Sequence, residues 1–460
     1  MLRPIRLLAL CTALVCLAQT GVRAQPQATD PSSLPLPETY FPVLKGILSA
    51  AVSQSPRMVA RNAENAAAEG NRIVMRSGQL PSINGYFSYY PWDRQVRADL
   101  PDPTTTQKLS YNLSLTQPIY HWGALQNNTR SGELQLRMTE GQTAEGYRLL
   151  VQEIRGQYLQ LVINKAVLAK ARLSLRVAED NIAVSQTKLE KKVISEADMA
   201  MVRLALDRAK LGADQVGEDY ENSKSVFAKL CGTPVLSDDQ IPEEIPDASG
   251  TSPAFEPMLT AFTSQKELNS FNLKYLSDQI EVEKLSYKNI TTRLRPQFNF
   301  LTGTSQDQIS YTTNLAAKYK VTDYFAGLQV SWPVFDGFAT KGAAASSLAR
   351  RRELEQSYKD LSANLADQAR SQLKQVGFAR RGMDIANRLL ESSAGALRDK
   401  KADATRGLAS DADVNTFQLA YQDAQISAYT ARTGYLMKSA DYLSTLLEDP
   451  ALANLPPQAR

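Results

Sequence analysis

The sequence predicts a mixed fold in which a membrane β-barrel joins a long α-helical coiled-coil barrel. Three observations predict it: landmarks that recur at a fixed spacing of 215 residues, extended segments that alternate apolar and polar side chains, and helical segments with an apolar residue at every seventh position. The 460 residues are 43% hydrophobic and 22% charged, the composition of a folded chain. We therefore expect two tandem repeats of one unit, each consisting of a helix, a β-hairpin and a helical hairpin.

The first residues have the pattern of an export signal. Arg3 and Arg6 precede an apolar run over residues 7–18, and a cut ahead of Gln25 would follow small side chains. Residues 1–24 are therefore predicted to be a signal peptide, and the mature chain to be exported. Cleavage removes three arginines and no acidic residue, so the formal net charge of +4 falls close to zero. A nearly neutral chain argues against a nucleic-acid partner.

The repeat is defined by landmarks along the whole chain. The stretch "LSLTQPIYHWG" (113–123) has the same pattern as "LQVSWPVFDGF" (328–338). Three pairs of residues share the spacing of 215: Pro81 with Pro296, Pro118 with Pro333, and Asp198 with Asp413. The predicted division of the chain is a first repeat over 25–233, an acidic, proline-rich linker over 234–254 that runs on the outside, a second repeat over 255–449, and a loose C-terminal tail over 450–460.

Each repeat is predicted to contain a helical segment, which a proline ends, and then two strands. The helical segments are placed at about 39–77 and 255–292. The strands are placed at about 83–97 and 108–120 in the first repeat, and at about 297–305 and 323–335 in the second. Apolar side chains alternate with polar ones in both repeats, as at Leu109, Tyr111, Leu113 and Leu115, and at Tyr324, Ala326, Leu328, Val330 and Trp332.

Alternation alone is equally typical of a half-buried sheet in a water-soluble protein. The export signal, the repeat and the long helices favour strands that span a membrane, with one face towards lipid and the other towards water. Four strands cannot close a barrel, and open sheet edges in hydrocarbon leave unpaired backbone groups. The strands of several copies must therefore combine, and twelve strands from three chains would close.

The helical hairpins are predicted at about 123–232 and 337–447. A stripe with a seven-residue period supports the first of them: Tyr147, Ile154, Leu161, Leu168, Leu175, Ile182 and Leu189. The segment 123–192 contains no proline, so its helix could reach about 100 Å. We interpret the stripe as helix packing, and it implies no cofactor.

The turns of the two hairpins have one pattern. The sequence Ser195-Glu196-Ala197-Asp198 corresponds to Ser410-Asp411-Ala412-Asp413, with serine three residues before aspartate in each. One interpretation is that the serine caps the new helix while the carboxylate lies in its positive first turn. The other is that copies of these carboxylates form an acidic ring at the end of a tube, where they select cations or bind a partner.

The sequence does not indicate a catalytic site. The mature chain has one histidine, His121, and one cysteine, Cys231, so no Cys/His metal cluster is expected. The sequence has no arrangement of nucleophile, base and orienting residue, and no glycine-rich phosphate loop. We therefore predict that the protein is not an enzyme and uses no cofactor.

Taken together, these features resemble the TolC-like outer-membrane factor family. The resemblance is carried by five stretches: "SGQLPSINGYF" (77–87), "LSLTQPIYHWG" (113–123), "LCGTP" (230–234), "LQVSWPVFDG" (328–337) and "TRGLASDADV" (405–414). It implies a homotrimer with a twelve-stranded barrel in the lipid of the outer membrane and a helical tunnel in the periplasm. Its implied partners are a periplasmic adaptor (membrane fusion protein) and an inner-membrane transporter.

The expected function is a passive exit duct of a tripartite efflux or type I secretion system. Asp411 and Asp413 are the predicted periplasmic entrance. The predicted adaptor contacts are the tip residues Val193, Ser195, Glu196, Asp198, Gly407, Leu408 and Ser410. The alternative is an exported coiled-coil spacer of the periplasm that forms no pore. Fractionation distinguishes the two, since a duct would be a detergent-requiring trimer and a spacer would stay in water.

Overall fold

The fold is described here from a computed structural model, which covers residues 34–96, 104–248, 250, 255–310 and 318–455. The predicted signal peptide lies outside these residues. The elements in chain order are α1 (Pro37–Tyr40), α2 (Pro42–Gln54), α3 (Pro56–Ser77), β1 (Ser82–Gln95), β2 (Thr104–Tyr120), α4 (Ala124–Glu190), α5 (Glu196–Cys231), α6 (Phe255–Thr263), α7 (Phe271–Thr291), β3 (Gln297–Ser310), β4 (Lys318–Ser331), α8 (Ala339–Thr405) and α9 (Asp411–Thr445). Each repeat therefore contains short helices, a strand pair and a long helical hairpin.

The helical segments that precede the strands are interrupted, which the sequence-based expectation missed. The first segment is three helices, because Pro42 and Pro56 each start a new one. Proline fits the first position of a helix, where no backbone N–H is needed, but it cannot continue the helix before it. The second segment is two helices, separated by the polar run 264–270.

The four strands form one antiparallel sheet in the order β1-β2-β3-β4. Strands β2, β3 and β4 extend past their predicted ends on the side away from the helices, because ladder hydrogen bonds join backbones and do not require the apolar pattern to continue. Strand β4 was predicted to reach residue 335, which is wrong. It ends at Ser331, two residues before Pro333, which has no N–H to donate. Similarly, the β2–β3 register shifts just after Pro118.

The long helices form two antiparallel hairpins, α4 with α5 and α8 with α9, and α4 also packs against α9. Helices α4 and α8 have 67 residues each, about 100 Å at 1.5 Å per residue. The seven-residue stripe of α4 is buried from Tyr147 to Leu168 and half-buried from Leu175 to Leu189. No helix within the described ranges is both long and apolar enough to cross a membrane.

The hydrophobic core lies partway along the helices, where α2, α4, α5 and the end of α9 meet. The linker was expected to run outside, but Leu236, Ile241 and Ile245 are buried in this core. The tail was expected to be loose; however, Pro450–Asn454 form a 3₁₀ turn, and Leu452 and Leu455 are buried. Residues 456–460 lie outside the described part. The linker and the described part of the tail are buried because apolar side chains are spaced along them.

A buried ionic cluster joins the two ends of the described chain at this core. The Arg155 side chain is fully buried and donates hydrogen bonds to Glu38, near the start, and to Asp449, near the end. Burial alone would lower the pKa of Arg155, but the charges of Asp449 and Glu38 and their hydrogen bonds raise it. Arg155 therefore stays charged and fastens both ends to α4.

Candidate functional site

The sheet has one apolar face and one polar face. Ile83 pairs with Leu115, Leu115 with Thr302 and Thr302 with Ala326, so these side chains lie on one face of the sheet. The exposed apolar side chains of this face are Ile83, Phe87, Tyr89, Leu113, Phe300, Tyr324, Leu328 and Val330. On the opposite face, Ser88 and Ser110 share a hydrogen bond of 2.7 Å. The sheet thus separates an apolar surface from a polar one.

Both outer edges of the sheet are open. Strands β1 and β4, 14 residues each, pair on one side only among the described residues. Long, exposed edges present rows of unpaired N–H and C=O groups to any neighbouring strand. Since β1 and β4 run in opposite directions, β4 of one copy can add to β1 of another in the same antiparallel pattern.

Aromatic and cationic side chains lie where the apolar face meets the helices. The Trp122 ring contacts Tyr120 edge-on at 5.0 Å, and the Arg295 guanidinium lies over it at 4.9 Å. The Trp122 indole N–H donates to the carbonyl of Pro296 at 2.7 Å, and that of Trp332 to the carbonyl of Leu294 at 3.1 Å. We call Tyr120, Trp122, Arg293, Arg295 and Trp332 the junction cluster.

The single histidine lies beside this cluster. His121 Nε2 lies 2.8 Å from Asn299 Oδ1, on β3. The equivalent residue of the second repeat, Asp336, instead accepts hydrogen bonds from the backbone and hydroxyl of Thr340 at the start of α8. These bonds lower the pKa of Asp336. At equivalent positions of the two repeats, Asp336 thus caps α8, whereas His121 connects the first repeat to β3 of the second.

The two hairpin tips have the same backbone. In the first, the N–H groups of Lys192 and Val193 donate to Leu189 and Lys188, and the N–H groups of Gly407 and Leu408 make the equivalent bonds in the second. This is the Schellman pattern, with a left-handed residue directly after the helix. That residue is Lys192 in the first tip and Gly407 in the second.

Each tip then starts its second helix with a capping box. The side chains of Ser195 and Asp198 accept hydrogen bonds from each other's backbone N–H groups, and Ser410 and Asp413 do the same. Backbone donation from the serine, followed by its hydroxyl, lowers the pKa of each aspartate. The helix-capping interpretation of Asp198 and Asp413 is therefore confirmed by geometry.

The remaining tip residues point to solvent. Val193 is 68% exposed and Leu408 is 75% exposed, a matched pair of apolar side chains at the outermost turns. Glu196 and Asp411, also a matched pair, are exposed and form no ion pair within the described ranges. The structure thus brings together Val193, Ser195, Glu196 and Asp198 in one tip, and Gly407, Leu408, Ser410, Asp411 and Asp413 in the other.

The described residues contain no group of His, Cys, Asp and Glu side chains that could hold a metal ion. Cys231 is a free, buried thiol at the end of α5, and burial raises its pKa to about 12. At neutral pH it is therefore protonated and unreactive.

Residues 47–232 match the sequence model of the outer membrane efflux protein family. This matched stretch, which includes β1, β2 and the α4–α5 hairpin, is similar in sequence to that family. No curated relative matches it in sequence.

Solved structures of outer-membrane channels share the fold of this chain. The CmeC outer membrane channel of Campylobacter jejuni aligns over 99% of both chains, with a TM-score of 0.67 and 12% identity. The outer-membrane channel OprN aligns over 92% of this chain and 95% of its own, with a TM-score of 0.66 and 15% identity. The open state of Neisseria gonorrhoeae MtrE aligns over 88% and 89%, with a TM-score of 0.64 and 12% identity.

The first repeat thus resembles an outer-membrane protein family in sequence, and the described chain has the fold of solved outer-membrane channels. Sequence reasoning found the tips and the two faces of the sheet. It missed the paired left-handed residues, which could have been found by comparing Lys192 with Gly407 at the repeat spacing. It also missed Arg155, for which the sequence gives no signal, because both partners of this residue are distant in the chain.

Proposed function

We propose that this protein is the passive outer-membrane exit duct of a tripartite efflux or type I secretion system. The observation that carries the proposal is the four-stranded sheet with an apolar face and two long open edges. In lipid, those edges require partners, since each unpaired backbone group costs several kcal/mol. A homotrimer would supply twelve strands and close the sheet around its polar face.

The helical tips suit a periplasmic adaptor. Val193 and Leu408 are exposed apolar side chains on hydrogen-bonded turns, which is the kind of surface that a partner's apolar groove buries. The equivalent backbones of the two tips give the adaptor similar features twice per chain. An adaptor bound there would join the duct to an inner-membrane transporter.

We place the entrance at the α8–α9 tips, with Asp411 as the ion-selective group. Asp413 is committed to its capping box, so replacing it would disturb the helix as well as remove charge. Asp411 takes no part in that box. Repeated by symmetry, it would form a ring of carboxylates that attracts cations.

A planar-bilayer experiment tests this assignment. In single-channel recordings, Asp411→Asn should reduce cation selectivity and block by divalent cations, with folding unchanged. The matched control is Glu196→Gln, which removes one charge at the same cap position of the other tip and should leave the currents unaltered. Equal effects of the two substitutions, or no effect of Asp411→Asn, would discard the entrance assignment.

The spacer alternative makes a different prediction about the sheet. A spacer would bury the apolar face within one chain, whereas Phe87, Tyr324 and Leu328 are exposed here. Fractionation decides between them. A heat-modifiable trimer in the outer-membrane fraction supports the duct, and a water-soluble periplasmic species supports the spacer.

A further inference from the structure

We propose that the junction cluster, Tyr120, Trp122, Arg293, Arg295 and Trp332, binds net-anionic phospholipid headgroups in the periplasmic leaflet. This inference rests on the membrane placement of the sheet in the proposed function. It adds a preference for lipid charge, whereas the duct itself requires only a hydrocarbon layer.

The cluster lies at the level of headgroups. Tyr120 is paired with Phe298 on the apolar face, and Trp122 contacts Tyr120 directly, so the Trp122 ring and the guanidinium above it lie on the lipid side. Trp122 follows the end of β2, Arg295 precedes the start of β3 and Trp332 follows the end of β4, where the apolar surface stops and the periplasmic helices begin. Aromatic side chains with one polar end prefer such a boundary.

The indole groups act as supports for the arginines. Both N–H groups are already used, by the carbonyls of Pro296 and Leu294, so the rings hold the backbone on each side of Arg295. Arg293 and Arg295 are exposed and form no ion pair within the described ranges. Their guanidinium groups can therefore bind phosphate oxygens, for which the planar fork of arginine is well suited.

Charge at the junction is strongly one-sided. The described segments 76–82, 120–126, 288–297 and 331–341 flank the periplasmic ends of the four strands. Their cationic residues are Arg76, Lys288, Arg293, Arg295 and Lys341, and Asp336 is their one acidic residue. Asp336 is engaged in capping α8. Since the whole mature chain is nearly neutral, this local excess of positive charge favours an anionic surface.

Built-in fluorophores allow a direct test. The three tryptophans are Trp92, Trp122 and Trp332, and Trp92 lies near the far end of β1. In Trp92→Phe protein, emission reports the junction alone. The protein is reconstituted with brominated phosphatidylglycerol or brominated phosphatidylcholine, and quenching gives their relative association constants. We expect stronger quenching by phosphatidylglycerol at low salt, and a weaker preference at high salt.

Variants in the same background assign the preference to the arginines. Arg293→Gln with Arg295→Gln should lower the relative affinity for phosphatidylglycerol by roughly fivefold per arginine. Arg293→Lys with Arg295→Lys should keep most of the preference. The matched control is Arg381→Gln with Arg398→Gln, which removes two exposed arginines from α8, one of them stacked on Phe378 at 5.0 Å. This control should change nothing.

The outcomes separate this inference from the proposed function. Equal quenching by the two lipids, or a preference that survives the glutamine variants, overturns the lipid site while leaving the duct intact. If neither lipid quenches the tryptophans, the sheet is not in the bilayer, and both proposals fail.

Discussion

Residues with a left-handed backbone conformation lie at the turns of this protein, and they occur in pairs. Among the described residues, φ is positive at four pairs of positions that share the repeat spacing: Trp122 with Gly337, Gly123 with Phe338, Lys192 with Gly407, and Gly232 with Leu447. Each pair contains one glycine and one residue with a side chain. The two repeats thus require the same backbone, and in each pair one repeat bears the steric cost of a Cβ atom.

The tip pair gives a test of that cost. A Cβ at Gly407 would meet nothing within 4 Å, so Gly407→Ala should weaken the turn through backbone conformation alone, by about 1 kcal/mol. Conversely, Lys192→Gly should strengthen the first tip by a similar amount. Hydrogen exchange should become faster at the Leu408 amide in the first variant and slower at the Val193 amide in the second. Unchanged rates would show that these turns carry no conformational strain.

The capping boxes of the two tips should be lost only at strongly acidic pH. Hydrogen bonds from Ser195 and Ser410 lower the pKa of Asp198 and Asp413 below the ordinary value of 3.8. A lowered pKa means that the capping contribution is fully present above 3.8 and is lost as the pH falls through the still lower folded value. The protection of tip amides from hydrogen exchange, corrected for intrinsic rates, should therefore persist at about pH 4.5, which is still above the ordinary aspartate pKa. Loss of protection already at pH 5 would contradict the capping boxes, and Ser410→Ala provides the reference without a cap.

At the scale of elements, the ionic cluster determines how the short helices and the chain end attach to α4. Arg155 connects α1 to the turn after α9 within the core, so three distant segments depend on one guanidinium. Removing one partner of a buried ion pair leaves the others charged and unpaired, which is more damaging than loss of an exposed pair.

Arg155→Met should therefore destabilise the protein by about 3–5 kcal/mol, because the buried Asp449 and the partly buried Glu38 would be left without a counter-ion. The matched control is Arg57→Met, since Arg57 pairs with Glu153 at the surface and should cost less than about 1 kcal/mol. Urea unfolding followed by circular dichroism measures both. Equal midpoints for the two variants would mean that the buried cluster does not hold the ends of the chain.

The same elements show what a sequence can predict. Alternation in β2 and β4 and the prolines at the strand boundaries act locally, so the faces of the sheet and the position of the hairpins were predictable. The strand end at Ser331 was missed because the apolar pattern continues to Phe335 after the ladder has stopped. Burial of Ile245 and Leu452, and the Arg155 cluster, depend on segments far apart in the chain, and no local pattern reports them.

At the scale of the whole molecule, three surfaces need something that a single chain does not provide. In the proposed duct, the apolar face needs lipid, the edges of β1 and β4 need other strands, and the exposed tips suit a partner protein. The first two needs are met together if identical copies join edge to edge in a membrane, because β4 and β1 run in opposite directions. The long helices, which follow β2 and β4, would then lie side by side and form a common tube.

The central claim is that the open edges are closed by copies of the same chain. Native mass spectrometry of the mature protein, released from detergent micelles, tests it most directly. The account predicts a particle of three chains that is stable only in detergent or lipid. A folded, single-chain species that stays in plain buffer would contradict it.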